Sequence, residues 1–325
     1  MLERFLHILL PNTTIMKAVL INKYGGIDEL KYEEVPVPNI NPDDVLVKIY
    51  ATSINPVDYK VRQGHDKFGK RSFPAILGWD VSGVIEKIGS EVHDYKAGDE
   101  VYGRPDVIRN GTYAEYVAVR AKEISFKPQK LDHLNSAAIP LAGLTAWQGI
   151  FTHGKLQAGQ KVLIHGASGG VGTFAVQLAR WKGAYVIGTS SADNIDFLKE
   201  LGADEVIDYE NEKFEEKLKD IDLVFDTRGG ETQKKSLEVL KQGGILVSTV
   251  GIQYADDAKA KGIQAIAYMA QSTSADLKQL ADLADAGTIK PIITQTLPLT
   301  EIKKAHQIIE QGHVKGKIAI EVIAS

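Results

Sequence analysis

A glycine-rich segment, Gly166–Gly172 (GASGGVG), is the strongest candidate for chemistry in this sequence. It follows a short apolar stretch, Lys161–His165, predicted as a strand, and precedes Thr173–Lys182, predicted as a helix. Strand, glycine turn and helix in this order are typical of a dinucleotide-binding unit, in which the helix N-terminus holds a pyrophosphate. Ala167 departs from the G-x-G-x-x-G pattern, and no Gly-Lys-Ser/Thr follows that would indicate a P-loop.

Strands and helices alternate after this turn. Further strands are predicted at Ala184–Thr189, Glu205–Tyr209, Asp222–Thr227 and Gly244–Thr249. Alternation of this kind predicts an α/β fold, a doubly wound parallel sheet with helices on both faces.

The end of the second strand bears on the choice of cofactor. An acidic residue about 20 residues past the glycines would bind the ribose 2′-hydroxyl and select NAD. This strand instead ends in Thr189-Ser190-Ser191, hydroxyls without a carboxylate, which favours NADP(H). Asp193 follows closely, and we interpret it as an acid in the first turn of a helix, where it complements the helix dipole.

The composition limits the class of protein. The chain has 325 residues, which is enough for two domains. Its net charge is −4 and it has no block of Lys or Arg residues, which argues against nucleic acid as a partner. It has no cysteine, which excludes disulfide and thiol chemistry, and we expect a cytoplasmic location.

The first residues, 1–15, are predicted to be an extension outside the fold. Their apolar run, Phe5–Leu10, is too short to span a membrane, so no membrane association is expected.

The chain before the glycine turn is rich in predicted strands, including Met16–Asn22, Leu30–Val35, Val45–Ala51 and Leu77–Gly89. This pattern predicts an antiparallel, barrel-like domain, and the last strand, Gly316–Val322, is expected to return to it. We therefore predict a β-rich catalytic domain at 16–137 and 288–325, and a dinucleotide-binding domain at 138–287.

The chain resembles the medium-chain dehydrogenase/reductase superfamily over Met16–Ser325, in its zinc-less quinone oxidoreductase and enone reductase branch. The matching motifs, in family order, are SINPVDYKVRQG, ILGWDVSGVIEKIG, GDEVYG, GTYAEYV, IPLAGLTAWQ, HGASGGVG, LGADEVIDY, QGGILVSTVG and GHVKGK. The resemblance implies a Rossmann-type domain joined to a GroES-like domain, and alanine at position 167 is common in this branch.

The zinc enzymes of this superfamily have a cysteine ligand where this chain has Asn55, and Gly-His-Glu where it has Gly78-Trp79-Asp80. They also hold a structural zinc with four cysteines. Because this chain lacks cysteine and its eight histidines show no ligand-like spacing, we predict no metal site.

Without a Lewis acid, the favoured substrate is an already activated acceptor, a quinone or an α,β-unsaturated carbonyl that takes a hydride at carbon. The resemblance implies that Asn55 lies beside the nicotinamide ribose or the acceptor, and that Tyr59 and Trp79 are catalytic-pocket walls. Alternatively, Asn55 only shapes the turn before Pro56, and Trp79 belongs to the core. No acid–base residue is evident, so water is expected to protonate the enolate.

The resemblance also implies a set of residues that contact NADP(H). Those expected at the pyrophosphate are Ser168, Gly169, Gly170 and Val171; at the 2′-phosphate, Ser190 and Tyr209; near the nicotinamide, Val250 and Gly251; and across the cleft, Thr145 and Lys317. Ser191 and Asn194 also belong to this set. Many relatives have Lys or Arg just after the second strand, so this chain is expected to prefer NADP over NAD less strongly than those relatives. Lys317 could instead be a solvated strand-end residue, and Thr145 a turn cap.

Three functions remain open at this point. The leading one is an NADPH-dependent reductase of quinones or enones; the others are one-electron quinone reduction and a non-catalytic, crystallin-like NADPH-binding role. Relatives are commonly homodimers, and Gln264–Met269 is a candidate edge strand for such pairing.

Overall fold

The computed structural model describes residues 14–69 and 71–323. The predicted extension therefore lies outside the described residues except at its end, where Ile15 already opens the first strand. The strands before the glycine turn are β1 (Ile15–Ile21), β2 (Lys31–Pro36), β3 (Asp44–Ser53), β4 (Ala75–Ile76), β5 (Val81–Ile88), β6 (Glu100–Gly103), β7 (Tyr116–Arg120) and β8 (Ile124–Phe126).

The remaining strands are β9 (Lys161–His165), β10 (Tyr185–Ser190), β11 (Glu205–Asp208), β12 (Ile221–Asp226), β13 (Leu240–Ser248), β14 (Gln264–Ala267), β15 (Ile293–Pro298) and β16 (Lys317–Glu321). The α-helices are α1 (Pro56–Arg62), α2 (His133–Ala137), α3 (Pro140–Trp147), α4 (Gly170–Trp181), α5 (Ile195–Leu201), α6 (Phe214–Lys217), α7 (Gly230–Val239), α8 (Ala255–Ala260), α9 (Ser274–Asp285) and α10 (Ile302–Gln311). Short 3₁₀ turns lie at Ile27–Glu29, Ala121–Glu123, Ala192–Asn194 and Leu299–Glu301.

Strands β9–β14 form a parallel sheet in the order β11-β10-β9-β12-β13-β14. Side chains of β9 alternate between its two faces: Val162 and Ile164 join one buried cluster with Phe174 of α4, and Leu163 joins another with Val224. Because both faces are covered, the three central residues of the strand, 162–164, are all apolar, which is typical of doubly wound sheets. The predicted α/β class is confirmed.

The β-rich part contains a three-stranded sheet, β2-β1-β4, and a larger sheet in the order β15-β16-β3-β5-β6-β8, with β7 also paired to β3. The final strand pairs antiparallel with β3, so the chain returns to its first part as predicted. The division at residues 137 and 287 stays a prediction.

Two predicted helices differ from the structure at their ends. Helix α4 begins at Gly170, three residues before the predicted start, because the glycine turn itself supplies its first turn. The predicted helix Pro140–Leu156 is α3 followed by a π-helical segment, Gln148–His153, whose wider turn appears in the 2.9 Å hydrogen bond from the Gly154 N–H to the Gly149 carbonyl.

Candidate active site

The glycine turn connects β9 to α4 at the carboxyl edge of the parallel sheet. A Cβ added at Gly172 would lie 2.2 Å from the carbonyl oxygen of Gly166, so only glycine lets the helix approach the turn this closely. The N–H groups of Gly170 and Val171 open the helix, where no preceding turn offers them carbonyl acceptors. The turn therefore fits a pyrophosphate.

The final strand meets this turn directly. The N–H of Gly316 donates to the carbonyl oxygen of Ser168 at 2.8 Å, and Gly316 forms an isolated parallel bridge with Gly169. A Cβ added at Gly170 would lie 2.8 Å from Cδ of Lys317. The side-chain stem of Lys317 thus lies against the predicted pyrophosphate site.

Lys317 is buried, with 4% of its surface exposed. Its ammonium donates to the carbonyl oxygen of Ile54 at 3.0 Å and to Oδ1 of Asn55, and lies 3.4 Å from Oδ2 of Asp80. Burial lowers the pKa of the ammonium, and the charge of Asp80 opposes that shift. The interpretation of Lys317 as a solvated strand-end lysine is wrong, because its partners lie inside the protein.

Asp80 joins four parts of the chain. Its carboxylate accepts hydrogen bonds from the Ser53 hydroxyl at 2.5 Å, the Asn55 side-chain amide at 2.7 Å and the Leu141 N–H at 2.7 Å, in addition to the Lys317 contact. These donors come from β3, the start of α1, α3 and β16. Both ends of the Asn55 amide are therefore held, one by Asp80 and the other by Lys317.

Asp58 is a buried member of this cluster that sequence reasoning missed. Its Oδ2 accepts from the Asn55 N–H at 2.8 Å and from the Tyr113 hydroxyl at 2.6 Å, whereas Oδ1 is buried without a hydrogen-bond partner. Burial raises its pKa to about 7, and the charge of Asp80 acts in the same direction. The position of Asp58 could have been inferred from the spacing Asn-Pro-x-Asp, because an acid three residues after a helix N-cap binds the N–H of the cap residue.

Tyr59 and Trp79, the residues predicted as walls of the catalytic pocket, differ in their burial. Tyr59 lies half-buried on α1. Trp79 is fully buried in the apolar cluster that contains Leu77 and Tyr113, with the Arg71 guanidinium 5.6 Å from its ring centre. This placement favours the core role of Trp79 over the pocket role.

Thr145 has a local partner. It is 9% exposed, and its hydroxyl donates to the carbonyl oxygen of Leu141 at 2.7 Å, one helical turn earlier. This bond satisfies the hydroxyl within α3.

The residues predicted for the adenosine ribose lie together after β10 and β11. The Ser190 hydroxyl donates to the Ser191 carbonyl at 3.0 Å, the Asn194 amide donates to the Ser191 hydroxyl at 3.1 Å, and the Tyr209 N–H donates to the Ser190 carbonyl at 3.1 Å. Tyr209 is 49% exposed as a residue, which leaves its side chain accessible to a ligand. Asp193 is exposed beside them.

Val250 and Gly251 follow β13 on the same edge of the sheet. Val250 is 39% exposed, and Gly251 adopts a φ of +94°, with its carbonyl bound by the Gln233 amide at 2.9 Å. Because ligands of open parallel sheets bind beyond the carboxyl ends of the strands, both residues lie where a cofactor is expected.

His165, at the end of β9, is structural. Its ring nitrogens contact the hydroxyls of Thr189 at 3.1 Å and Ser236 at 2.9 Å, and burial lowers its pKa to about 4. The imidazole is therefore neutral and enclosed.

No group of three or more His, Cys, Asp or Glu side chains in 14–69 and 71–323 is placed to hold a metal ion. Within the same ranges, no helix has both the length and the apolar character needed to cross a membrane.

Comparisons with known proteins agree with this architecture. An alcohol dehydrogenase GroES-like domain model matches residues 41–129, and a zinc-binding dehydrogenase model matches residues 201–320. The chain is 35% identical to the human protein "NAD(P)H oxidoreductase RTN4IP1, mitochondrial", covering 96% of this chain and 91% of that protein. It is 37% identical to a 2-methylene-furan-3-one reductase of Solanum lycopersicum, over 95% of this chain and 79% of that one.

Among solved structures, the quinone oxidoreductase from Coxiella burnetii superimposes with a TM-score of 0.91 at 36% identity, covering 95% of this chain and all of that one. These relatives and the dehydrogenase family models identify the class as a nicotinamide-dependent oxidoreductase. The chain belongs to the medium-chain dehydrogenase/reductase superfamily, in its quinone oxidoreductase branch.

The expected cytoplasmic location is wrong. It is contradicted by relatives from Homo sapiens, Bos taurus and Mus musculus, which carry "mitochondrial" in their names. The expectation rested on the absence of cysteine, and a chain without cysteine has no disulfide chemistry to restrict it to one compartment.

Proposed function

We propose that this protein is an NADPH-dependent reductase of quinones or α,β-unsaturated carbonyls that works by hydride transfer without zinc. One observation carries the proposal: Lys317 lies against the glycine turn with its stem and binds Asn55 with its ammonium. The predicted pyrophosphate site and the predicted acceptor site are thus joined by one side chain. The names of the tomato and Coxiella burnetii relatives support the two acceptor classes.

The residues proposed to bind the cofactor follow its length along the sheet edge. They are Ser168, Gly169, Gly170 and Val171 at the pyrophosphate, Ser190, Ser191, Asn194 and Tyr209 at the adenosine ribose, and Val250 and Gly251 near the nicotinamide. When bound, the reduced nicotinamide supplies the hydride equivalent. The protein holds the nicotinamide ring and the acceptor next to each other and excludes water from between them.

Asn55 is proposed to act at the acceptor end. Its amide nitrogen carries two hydrogens, and one of them donates to Asp80. The other is proposed to donate to the nicotinamide ribose or to the acceptor oxygen, where negative charge develops during reduction. Because Asp80 and Lys317 fix the amide from both ends, this donor is oriented before the acceptor binds.

Independence from zinc is supported by the residues at the corresponding positions. Asn55 and Trp79 stand where the zinc enzymes have a thiolate and an imidazole, and Trp79 is fully buried in the core. An amide and an indole N–H are poor ligands for Zn²⁺.

The test is loss of reduced-nicotinamide absorbance with purified protein, using NADPH or NADH against a small quinone and a conjugated enal. Fast NADPH loss with either acceptor supports the proposal, and added chelator should leave the rate unchanged. A Gly172→Val variant, in which the turn cannot form, should lose this activity, whereas Gly26→Val, whose Cβ meets nothing within 4 Å and whose φ is −72°, is the matched control. Absence of turnover with every pairing would overturn the reductase assignment.

We also propose a homodimer that pairs the edges of the parallel sheets. Strand β14 is the last strand of that sheet among the described residues, and Met269 beside it is 54% exposed. An edge strand offers unpaired backbone groups to a second copy.

A further inference from the structure

Lys315 reaches from the β-rich part of the molecule to the adenosine end of the proposed cofactor site. It lies in the segment between α10 and β16, and its ammonium is 4.0 Å from the ring centre of Phe197. Phe197 belongs to α5, which follows Ser190 and Ser191 after the short 3₁₀ turn Ala192–Asn194. A lysine from one side of the cleft therefore stands beside the loop that bears the predicted ribose contacts.

The backbone holds Lys315 in this position. Its carbonyl accepts a hydrogen bond from the Thr294 hydroxyl at 2.8 Å, and the next residue, Gly316, is bound to Ser168. Gly316 has a φ of +64°, and a Cβ there would lie 2.2 Å from the Ile292 carbonyl oxygen. The two lysines that flank Gly316 have different partners: Lys317 binds Asn55, and Lys315 contacts Phe197.

The charge of Lys315 is uncompensated within residues 14–69 and 71–323, where no carboxylate lies within 4.0 Å of its ammonium. A cation over an aromatic face keeps its N–H donors on the far side available. The loop beside it contains the Ser191 hydroxyl and the Asn194 amide, which carry no positive charge of their own, whereas the Ser190 hydroxyl is buried and donates to the Ser191 carbonyl.

We propose that Lys315 supplies the cation that binds the 2′-phosphate of NADPH and so determines the preference for NADPH over NADH. This proposal rests on the proposed function, and it names the residue that replaces the missing Lys or Arg after the second strand. Phe197 orients the lysine ammonium, and the Ser191 hydroxyl and the Asn194 amide donate the remaining hydrogen bonds to the phosphate.

Isothermal titration with 2′,5′-ADP and with 5′-AMP isolates the 2′-phosphate from the rest of the cofactor. We expect the unmodified protein to bind 2′,5′-ADP more tightly than 5′-AMP. Lys315→Ala should weaken the binding of 2′,5′-ADP at least about tenfold and leave the affinity for 5′-AMP unchanged. A loss of this size is typical of a lost hydrogen bond to a charged group. Lys315→Arg should retain the preference. Lys304→Ala, an exposed lysine on α10, is the matched control and should change neither affinity.

An equal loss for both nucleotides, or no loss for either, would overturn the assignment of Lys315. So would equal affinity of the unmodified protein for the two nucleotides. Should Lys315→Ala fail to fold, Lys315→Gln takes its place as the variant without the charge, and Lys315→Arg remains the variant that keeps it. The readout is independent of turnover: a protein that reduces no acceptor but shows this nucleotide pattern refutes the proposed function and leaves the role of Lys315 standing.

Discussion

Lys317 and Asn55, 262 positions apart in the chain, are joined by a hydrogen bond from the lysine ammonium to the amide oxygen. Neither residue is more than 4% exposed. The bond couples the last strand, which touches the glycine turn, to the start of α1. Any change that moves this strand therefore alters the amide that is proposed to face the acceptor.

Removing the ammonium tests how much of the fold depends on this link. Lys317→Met leaves Asp80 buried without its cation, and breaking a buried pair in this way typically costs about 3–5 kcal/mol. We expect urea unfolding to show a loss of this size, whereas Lys161→Met, an exposed lysine at the start of β9, should be nearly neutral. The double variant Lys317→Met with Asp80→Asn should recover part of the loss. Unchanged stability of the single variant would contradict the structural role of the pair.

Asp58 should make stability depend on pH. Its pKa is about 7 in the folded protein and near 3.8 when exposed, so the folded state holds a proton that the unfolded state releases between these values. Stability contributed by this proton is complete below about pH 4 and is lost as pH rises through 7. Lys317 and Asp80 are the charged groups that face it.

The variant Asp58→Asn removes this titration. Relative to the unmodified protein, it should gain stability as pH rises from 5 to 8, by an amount on the order of a few kcal/mol. Urea unfolding at each pH measures the difference, and Asp28→Asn, an exposed acid, serves as the control. A difference between the two curves that stays constant with pH would show that Asp58 is ionised throughout.

Gly316 should tolerate no side chain. Gly316→Ala combines a φ of +64° with a Cβ placed 2.2 Å from the Ile292 carbonyl, so both backbone strain and a steric clash oppose it. Gly312→Ala has a similar φ of +76° but no atom within 4 Å of its Cβ. We expect about 1 kcal/mol of destabilisation at Gly312 and clearly more at Gly316, together with weaker nucleotide binding only at Gly316. Equal melting temperatures for the two variants would refute the clash.

Much of the fold was predictable because local patterns agree with it. The strand, turn and helix around Gly166–Gly172 each have a recognisable residue pattern, and the centre of β9, residues 162–164, is apolar because both faces of the strand are buried. The π-helical segment after Trp147 was not predictable, because its wider hydrogen bonding leaves no distinct residue pattern.

The site was predictable only in part, for a physical reason. Asn55 and the glycine turn lie in short motifs, but the burial of Lys317 depends on pairing between β16 and β3, residues far apart in the chain. Lys315 escaped notice for the same reason, because its partner Phe197 lies on a separate helix. Asp58 was visible as a helix-capping acid, yet its raised pKa follows from burial, which spacing alone does not reveal.

The proposed dimer makes a prediction about mass. If β14 pairs with its copy, light scattering at micromolar protein should give twice the chain mass of 35.5 kDa. Ala267→Lys places a charge at an exposed position of this edge strand, where natural proteins use lysine to block pairing, and it should yield the monomer mass. Ala97→Lys, at a position that is also exposed but lies in the β-rich part, should leave the dimer intact. A monomer mass for the unmodified protein would refute the dimer, and a dimer that survives Ala267→Lys would move the interface to another surface.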